Sequence, residues 1–368
     1  MKPSTSPADR AGRGRLLVID EDGCLSHRVR ADFPSFVERH DLVIANDAST
    51  IPASLPGIHL PTGAAIEVRL AGRDSLSSRR VTRFTAVLFG AGDYRTPTEH
   101  RPLPPAVREG DRLQLGPLHA VVTGLHGHPR LIELSFDGSP SKIWEGLARH
   151  GRPIQYAHVR EPLAIWDTWT RIASQPVAFE PPSAGFLLTW RMIHDLRARG
   201  AHVATITHAA GISSTGDDRL DARLPFDEPY FIPRSTAALI QQTKRQGGRV
   251  IAIGTTVVRA LEHAAEPHGR VKVGNGVATQ RIGPQTSLRV VDAIVSGVHE
   301  PGSSHYELLR AFQTDDVLRE MDEEAEAGGY LTHEFGDSIF MTKAAAPVAY
   351  RLAPDHRLAV TAAVGSGG

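Results

Sequence analysis

Short segments in which hydrophobic and polar positions alternate dominate the chain between residues 58 and 137. Alternation with a period of two is typical of strands that bury one face, and Gly, Pro or Asp breaks separate these segments at close intervals. Five or six short strands at such spacing predict a small antiparallel barrel. The segments are AAIEVRLAG, VTRFTAVLFG, DRLQLG, HAVVTGL and LIELSFDG.

A different pattern begins at residue 183, where amphipathic helical segments alternate with short apolar strands. This alternation predicts an α/β domain with a largely parallel sheet. Two further buried-strand candidates, RLLVID and DLVIAND, precede the barrel segments. We therefore predict the fold class α/β: a layered αβα domain with a largely parallel sheet and a small antiparallel β-barrel inserted into it.

The same pattern sets the expected domain boundaries. Residues 1–57 form the first segment of the α/β domain, and residues 1–14 are expected to be disordered because they are polar and rich in Pro and Gly. The inserted barrel spans 58–150, and the main α/β domain spans 151–345. The remaining residues, 346–368, form a C-terminal extension.

Charge and composition exclude several classes of function. The 41 Lys and Arg residues balance the 41 Asp and Glu residues, so any RNA binding must come from a local patch rather than from bulk charge. No apolar run reaches the roughly 18 residues that span a bilayer, and the N-terminus lacks the apolar core of a secretory signal. The single cysteine, Cys24, excludes an internal disulfide or a Cys-rich metal site. We expect a cytoplasmic monomer.

The stretch GGRVIAIGTTVVRALEHAA, residues 247–265, predicts a buried strand, a tight turn and an amphipathic helix. Gly254 permits a sharp turn, and the hydroxyl of Thr255 or Thr256 is a candidate helix cap. Free amide groups at a helix start attract phosphates and carboxylates, and open α/β sheets bind ligands at this edge. The stretch lacks a Gly-x-Gly-x-x-Gly or P-loop motif, so a plain structural turn and a ligand-binding turn both remain open.

This stretch resembles the most recognisable block of the S-adenosylmethionine:tRNA ribosyltransferase-isomerases of the queuosine pathway. Other blocks match the family in the same order, over roughly residues 15–343, and the family has an α/β domain with an inserted β-barrel. These blocks are DLVIANDASTIPASLPG, EPPSAGFLLTWRMIHDLRARGAHVATITHAAG, FDEPYFIPRSTAALIQQTKRQGG, LRVVDAIVSGVHEPGSS and EFGDSIF.

The resemblance implies a reaction without a metal. The ribosyl moiety of S-adenosylmethionine, which is a substrate, passes to the aminomethyl group of a deazaguanine at the tRNA wobble position, giving epoxyqueuosine, adenine and methionine. Such a site needs a base near the sulfonium, an acid near the adenine and donors for the methionine carboxylate. Matching positions imply catalytic roles for His299, Glu228 and Asp47. They imply substrate contacts for Asn46, Gly185, Gly211, Gly254, Thr255, Thr256 and Arg259.

Several positions depart from the family pattern. Two family arginines are replaced in the stretch that contains Ser49 and Ser54, and a family histidine is absent from the stretch that begins at Gly185. Of a His-x-Met-His-x-Glu motif only Glu228 remains. These losses fall at polar loop positions, where chemistry usually resides, as expected of a paralogue whose substrate has changed.

Three hypotheses therefore remain open. The chain is a working tRNA ribosyltransferase-isomerase, or an enzyme of the same fold that uses S-adenosylmethionine or another nucleoside on a small-molecule acceptor, or a non-catalytic binder of RNA or nucleosides.

Most candidate residues also have an ordinary structural explanation. Asn46 and Asp47 are equally consistent with turn capping, and Glu228 with surface charge. Arg259 and Glu262 lie one helical turn apart, so an exposed ion pair explains them as well. Packing or surface positions explain His208 and His305, and caps explain Asp292 and Asp337.

One arginine-rich segment is the strongest candidate for RNA contacts. The stretch RLAGRDSLSSRRVTR is predicted to form a hairpin of the barrel, and five arginines there suit phosphate binding, although a solvated hairpin has the same composition. Arg79, Arg80 and Arg83 are the predicted RNA contacts, and Arg69 and Arg73 complete the set.

Overall fold

Nineteen strands build the protein, for which a computed structural model describes residues 1–7 and 14–345. They are β1 (Lys2–Pro3), β2 (Arg15–Ile19), β3 (Leu25–Val29), β4 (Leu42–Asn46), β5 (Ala48–Thr50), β6 (Ser54–His59), β7 (Ala64–Gly72), β8 (Arg83–Phe89), β9 (Arg112–Leu115), β10 (Leu118–His128), β11 (Leu131–Phe136), β12 (Gln175–Ala178), β13 (His202–His208), β14 (Glu228–Ile232), β15 (Val250–Ile253), β16 (Gly274–Ala278), β17 (Ala293–Gly297), β18 (Leu331–Thr332) and β19 (Ser338–Thr342).

Seven α-helices and five 3-10 helices connect the strands within these residues. The α-helices are α1 (Pro140–His150), α2 (Trp190–Ala198), α3 (Asp218–Asp221), α4 (Arg234–Arg245), α5 (Thr255–His263), α6 (Ser304–Leu309) and α7 (Asp315–Ala327). The 3-10 helices are Arg30–Phe36, Thr98–His100, Ile165–Thr168, Ser183–Leu187 and Pro267–Gly269. No helix in the described part of the chain is both long enough and apolar enough to cross a membrane.

The main sheet has nine strands in the order β16-β14-β13-β4-β15-β17-β19-β2-β3. Its centre is parallel: β13, β4, β15 and β17 run in the same direction, and β4, β15 and β17 are mostly buried, as strands covered on both faces are. Towards the two edges, β13–β14, β14–β16, β17–β19 and β2–β3 pair antiparallel. The sheet is therefore mixed, with the predicted parallel order confined to its centre and the β19–β2 pair.

Side chains of β4 show how the layers form. Leu42 and Ile44 point into a core that includes Leu261 of α5, whereas Val43 and Ala45 point into a second core that includes Leu196 of α2. Successive residues of a strand face opposite sides of the sheet, so one apolar run supplies both cores. The predicted αβα layering is confirmed.

Six antiparallel strands close into a barrel in the order β10-β11-β8-β7-β6-β9. Alternate residues such as Val68, Leu70 and Leu88 fill its interior, which the buried face of α1 also covers. The barrel strands lie between β4 and β13 in the chain. The alternating segments predicted an inserted barrel at this place. Its first strand begins at Ser54, slightly before the expected boundary at residue 58.

The start of the chain differs from the expected disorder of residues 1–14. Lys2–Pro3 pairs in parallel with Leu331–Thr332, and the Ser4 amide continues the ladder to the Thr332 carbonyl. Composition predicted a solvated segment here because it ignores backbone pairing with a distant strand. Residues 8–13 and the expected C-terminal extension, 346–368, lie outside the described residues.

Candidate active site

The central parallel strands end at one edge of the sheet, where α/β folds bind ligands. Asn46 closes β4, His208 closes β13, Gly254 follows β15 and Gly297 closes β17. Because the chain runs in the same direction through all four strands, the polar residues that follow them lie close together. The candidate site is built on this edge.

Asn46 joins the ends of two strands through a buried side chain. Its amide nitrogen donates to the His208 carbonyl over 2.9 Å, and its amide oxygen accepts from the His208 N–H over 2.9 Å and the Ala48 N–H over 3.0 Å. The same nitrogen lies 3.4 Å from the Thr256 hydroxyl oxygen. Asn46 therefore does more than cap a turn: it fixes β4 against β13 and reaches the start of α5.

Asp47 presents a half-buried carboxylate that two hydroxyl groups orient. Thr205 donates to one oxygen over 3.1 Å and Thr207 to the other over 2.7 Å. Both donors lie on β13 and both are neutral. The carboxylate of Asp47 forms no ion pair within the described residues, so its negative charge is available at the edge of the sheet.

Glu228, at the start of β14, is buried rather than exposed, so the surface-charge explanation is wrong for it. One carboxylate oxygen accepts the Gly211 N–H, and the other pairs with the Arg259 guanidinium. The remaining donors of Arg259 bind the carbonyls of Phe226, Ala278 and Gln280. Four of the five N–H groups of Arg259 thus bind protein groups among the described residues, so its predicted contact with substrate is limited to the second Nη1 hydrogen unless one partner is displaced.

Glu262 has a separate role, so the idea of an exposed Arg259–Glu262 pair is also wrong. Its carboxylate accepts the N–H groups of Arg289, Val290 and Val291 over 2.8 to 2.9 Å. The two side chains point to different partners because Arg259 lies on the buried face of α5. Helical spacing alone does not distinguish these two faces.

His208, interpreted from the sequence as a packing or surface residue, lies buried within this group. Its ring is fully buried, and neither ring nitrogen has a hydrogen-bond partner among the described residues. Burial, assisted by the charge of Arg259, lowers the pKa of His208 to about 3, so the ring is neutral at pH 7. Its Nε2 lies 3.4 Å from a Glu228 carboxylate oxygen. The sequence signal for a site residue here was the position of His208 at the end of a predicted strand, immediately before Ala-Ala-Gly.

Burial also dominates the electrostatics of Glu228. It raises the pKa of this carboxyl, while the Arg259 charge and the Gly211 N–H oppose that change. A raised pKa makes the carboxylate a better proton acceptor. Glu228 therefore combines a fixed position with readiness to take up a proton.

The turn before α5 adopts the conformation that Gly254 alone permits readily. Its φ is 99°, in the left-handed region that favours glycine, and an added Cβ would lie 3.4 Å from the Ala184 Cβ. Gly254 itself occupies the N-cap, so the expected capping by Thr255 or Thr256 is wrong. A glycine cap has no side chain to offer the first amide groups of the helix, which favours a ligand there.

Gly211 and Gly185 are sites of close approach. A Cβ on Gly211 would lie 2.9 Å from the Ala71 carbonyl oxygen of β7 and 3.0 Å from the Glu228 carboxylate. The loop after β13 therefore touches the barrel and the Glu228 carboxylate at once. A Cβ on Gly185 would lie 3.0 Å from a Thr170 methyl group. Any side chain at these positions would displace a neighbouring group.

His299 follows β17 with a half-buried ring. Its Nε2 lies 3.1 Å from the Ser296 hydroxyl oxygen, and the ring stacks on His305 with centroids 4.6 Å apart. Burial, with smaller effects of His305 and His333, lowers the pKa of His299 well below its ordinary value. The neutral imidazole is in the protonation state that a general base needs, and its lowered pKa makes it a weaker base than an exposed histidine. His305 is part of this pair and not an isolated surface residue.

A second group of polar residues includes Ser213, on the loop after β13, and no sequence pattern predicted it. We call it the Glu180 cluster, and its members are Tyr156, His158, Glu180, Ser213, His333 and Glu334. The Tyr156 hydroxyl donates to the buried Glu180 carboxylate, and His158 Nε2 lies 3.1 Å from a Glu334 oxygen. The ring of His333 stacks on that of His158 with centroids 4.4 Å apart. These residues come from four separate segments, so no local motif connects them.

Asp292 and Asp337 have structural roles. Asp292 accepts the Val250 N–H and the Lys244 ammonium, and Asp337 accepts groups of Arg15 and the Leu331 N–H. Each carboxylate ties a loop to a strand end.

The arginine-rich segment forms the connection between β7 and β8, but only part of it faces solvent. Arg69 and Arg73 are buried, so neither is free to contact phosphates. Arg69 pairs with Glu67, and Arg73 donates to the backbone carbonyls of Ser77 and Arg80. The three predicted contacts are exposed: Arg80 pairs with Asp74, Arg83 pairs with Glu133, and Arg79 lies beside them.

The chain is similar to known proteins along nearly its whole length. The profile of the family described as queuosine biosynthesis protein matches residues 2–341. The S-adenosylmethionine:tRNA ribosyltransferase-isomerase of Thiobacillus denitrificans is 32% identical over 348 residues, which cover 92% of this chain and 93% of that protein. A crystal structure of S-adenosylmethionine tRNA ribosyltransferase from Thermotoga maritima aligns with 92% of this chain and 95% of its own, at a TM-score of 0.46 and 23% identity.

Proposed function

We propose, because the chain belongs to the queuosine biosynthesis protein family, that it transfers the ribosyl moiety of S-adenosylmethionine to a 7-aminomethyl-7-deazaguanine in tRNA, forming epoxyqueuosine. The observation that carries the proposal is the identity with the Thiobacillus denitrificans protein over nearly the full length of both chains. S-adenosylmethionine is then a substrate and tRNA the acceptor. Neither a small-molecule acceptor nor a non-catalytic role is favoured by these relatives.

The donor is proposed to bind at the turn that begins α5. The amide groups and hydroxyls of Thr255 and Thr256 would donate to the methionine carboxylate or to the ribose oxygens, and Asn46 lies against Thr256. Gly254 keeps the turn open, while Gly185 and Gly211 let neighbouring segments approach. Arg259 would stabilise this turn through its ion pair with Glu228, not through direct contact with the donor.

His299, Glu228 and Asp47 remain the proposed catalytic residues. His299 is the base for the proton beside the sulfonium, because its ring is neutral and half-buried. Glu228 is a second proton acceptor, and Asp47 places negative charge near the cationic donor. Because the acceptor is tRNA, we expect the protein to act in the cytoplasm; the monomeric state stays a prediction.

Adenine release is the test of this function. The purified protein is incubated with labelled S-adenosylmethionine and with tRNA that carries the aminomethyl precursor, or with the same tRNA carrying guanine. We expect adenine only with the precursor. Release in the absence of tRNA, dependent on a small amine, would favour the small-molecule enzyme. Binding of tRNA without adenine release would favour the non-catalytic relative.

A further inference from the structure

We propose that the Glu180 cluster binds a primary ammonium group of one of the two substrates, an inference that rests on the proposed function for the identity of those substrates. Three members of the cluster, Tyr156, Glu180 and Glu334, line a small cavity. Its lining includes Tyr156, Thr168, Glu180, Pro181, Glu334 and Phe335. Two carboxylates and two aromatic rings around one cavity form the surroundings that an ammonium group prefers.

Glu180 is a buried carboxylate without a cation. Only 8% of the residue is exposed, and it forms no ion pair within the described residues. Its partners are hydroxyl and amide groups: Tyr156 and Ser213 donate to it. Because an unpaired buried charge is costly, a site of this kind gains when a cation enters.

The other charged groups near Glu180 do not supply that cation. The guanidinium carbon of Arg69, on β7, lies 5.5 Å from the centroid of the Tyr156 ring, and Arg69 pairs with Glu67. Glu334 approaches from the loop before β19 with His333, and its own partner is His158. A second carboxylate near Glu180 therefore adds negative charge to the cavity.

The raised pKa of Glu180 is consistent with a site that binds a cation. Burial, with a contribution from the Glu334 charge, raises the pKa of Glu180 to about 7. Near neutral pH the carboxyl of Glu180 is therefore readily protonated. An entering ammonium group would stabilise the ionised carboxylate, so binding should release protons below pH 7.

A metal ion fits this cluster less well than an ammonium group. Ligand atoms of His158, His333 and Glu334 lie within 4.8 Å of one another, as metal ligands do. The two imidazole rings, however, stack 4.4 Å apart with planes inclined by 20°. Lone pairs in the planes of stacked rings run side by side and do not converge on one ion at the roughly 2.1 Å that zinc requires.

Both substrates carry a primary ammonium group. S-adenosylmethionine has the α-ammonium of its methionine part, and the acceptor base has its aminomethyl group. The cavity chemistry is the same for either source. Paired analogues that lack the charge distinguish them.

The experiment measures binding to wild type and to Glu180→Gln by calorimetry. The donor arm compares S-adenosylmethionine with an analogue in which a hydroxyl replaces the α-amino group. The acceptor arm compares an anticodon stem-loop carrying the aminomethyl base with one carrying the uncharged 7-cyano base. Glu161→Gln, an exposed neighbour, is the matched control, and Tyr156→Phe is a second variant that keeps the carboxylate.

In either the donor arm or the acceptor arm, we expect Glu180→Gln to lower the affinity for the ammonium ligand about ten- to hundredfold. The affinity for the uncharged analogue should not change. Proton release should be measurable at pH 6.5 in wild type and absent in the variant. The proposal is wrong if both arms are unchanged, or if charged and uncharged ligands weaken equally. Zinc binding that Glu180→Gln abolishes, without an ammonium effect, would also overturn it.

If wild type binds neither substrate, the proposed function fails and the cavity is tested separately. The probe is then propylammonium, observed by ligand NMR, with propanol as the uncharged control. Binding of propylammonium that Glu180→Gln removes would support the ammonium site independently. No binding to wild type would overturn it.

Discussion

Arg259 on α5 and Glu228 on β14 form a buried ion pair whose other hydrogen-bond partners are all backbone groups, with the neutral His208 ring beside Glu228. The pair joins the helix that begins at the proposed donor turn to the strand beside β13. Gly211, on the loop after β13, donates to the same carboxylate. The position of the donor turn therefore depends on a charge pair that does not itself reach the solvent.

Removing one member of this pair should destabilise the protein strongly. Arg259→Met leaves the Glu228 carboxylate buried without its cation, and we expect the free energy of unfolding to fall by roughly 3–5 kcal/mol. Urea denaturation measures this change. Arg319→Met is the control, because Arg319 pairs with Asp316 on the exposed surface of α7 and should change stability by less than about 1 kcal/mol. Equal effects of the two variants would contradict a structural role for the buried pair.

Thr255→Val should weaken S-adenosylmethionine binding. The substitution removes a hydroxyl from the first turn of α5, and the expected loss is roughly 1–2 kcal/mol, the scale of one hydrogen bond at a desolvated site. Calorimetry gives the affinity. Ser235→Ala in the first turn of α4 is the matched control and should leave the affinity unchanged. If wild type shows no binding at millimolar ligand, the donor site lies elsewhere or the donor is a different molecule.

His299→Gln should abolish most of the adenine release and leave donor binding intact. Loss of a positioned base typically slows a reaction by about 10²–10⁴-fold. Because burial lowers the pKa of His299, the wild-type ring stays neutral between pH 8 and pH 6.5, so its protonation should not reduce the rate in that interval. His119→Gln, at an exposed barrel position, is the control. A wild-type rate that falls tenfold from pH 7.5 to 6.5 would argue against His299 as the base.

The salt dependence of tRNA binding should be shallow. With Arg69 and Arg73 buried, the segment between β7 and β8 offers three exposed arginines, and each phosphate contact contributes about 0.7–0.9 to the slope of log affinity against log salt. Arg79→Ala with Arg80→Ala should lower the affinity and reduce the slope by up to about 2. Arg112→Ala, elsewhere on the barrel, is the control. An unchanged slope would place the RNA surface on another part of the protein.

Glu180 should make stability depend on pH in an unusual direction. Its pKa is about 7 in the folded protein and 4.5 in a free glutamate, so the folded state binds the proton more tightly. The stability that this proton provides is complete below pH 4.5 and is lost as pH rises to 7, by roughly 3 kcal/mol. Unfolding free energies of wild type and Glu180→Gln, compared from pH 4.5 to 8, should show this fall in wild type only. Glu161→Gln should follow wild type, and parallel curves for all three proteins would refute the assignment.

Sequence patterns predicted the architecture because local rules determine it. Period-two segments became the barrel strands, and the apolar runs around Ile44 and Ile251 became central strands with both faces covered. The flanks of the main sheet were harder to predict. Antiparallel pairing of β14 and β16, and of β17 with β19, depends on contacts between distant segments that no local pattern encodes.

The candidate site was predictable in part. Asn46, Gly254 and His299 lie near the ends of neighbouring strands. Because parallel strands end at the same edge of a sheet, such residues can be expected to lie close together. Burial was the missing quantity elsewhere. Nothing in the local sequence distinguishes buried Arg69 from exposed Arg79, and Glu180 becomes notable only once Tyr156 and Glu334 arrive from other parts of the chain.

Residues 211–215 act as a spacer of fixed length between two acidic centres. Gly211 at one end binds Glu228, Ser213 in the middle binds Glu180, and Arg130 of the barrel holds the Thr215 carbonyl at the other end over 3.0 Å. Inserting or deleting one residue here would detach one carboxylate from its donor even if every strand kept its place. Chains that share the αβα domain and the barrel but differ in the length of this loop should therefore differ in how many of the two carboxylates they keep engaged.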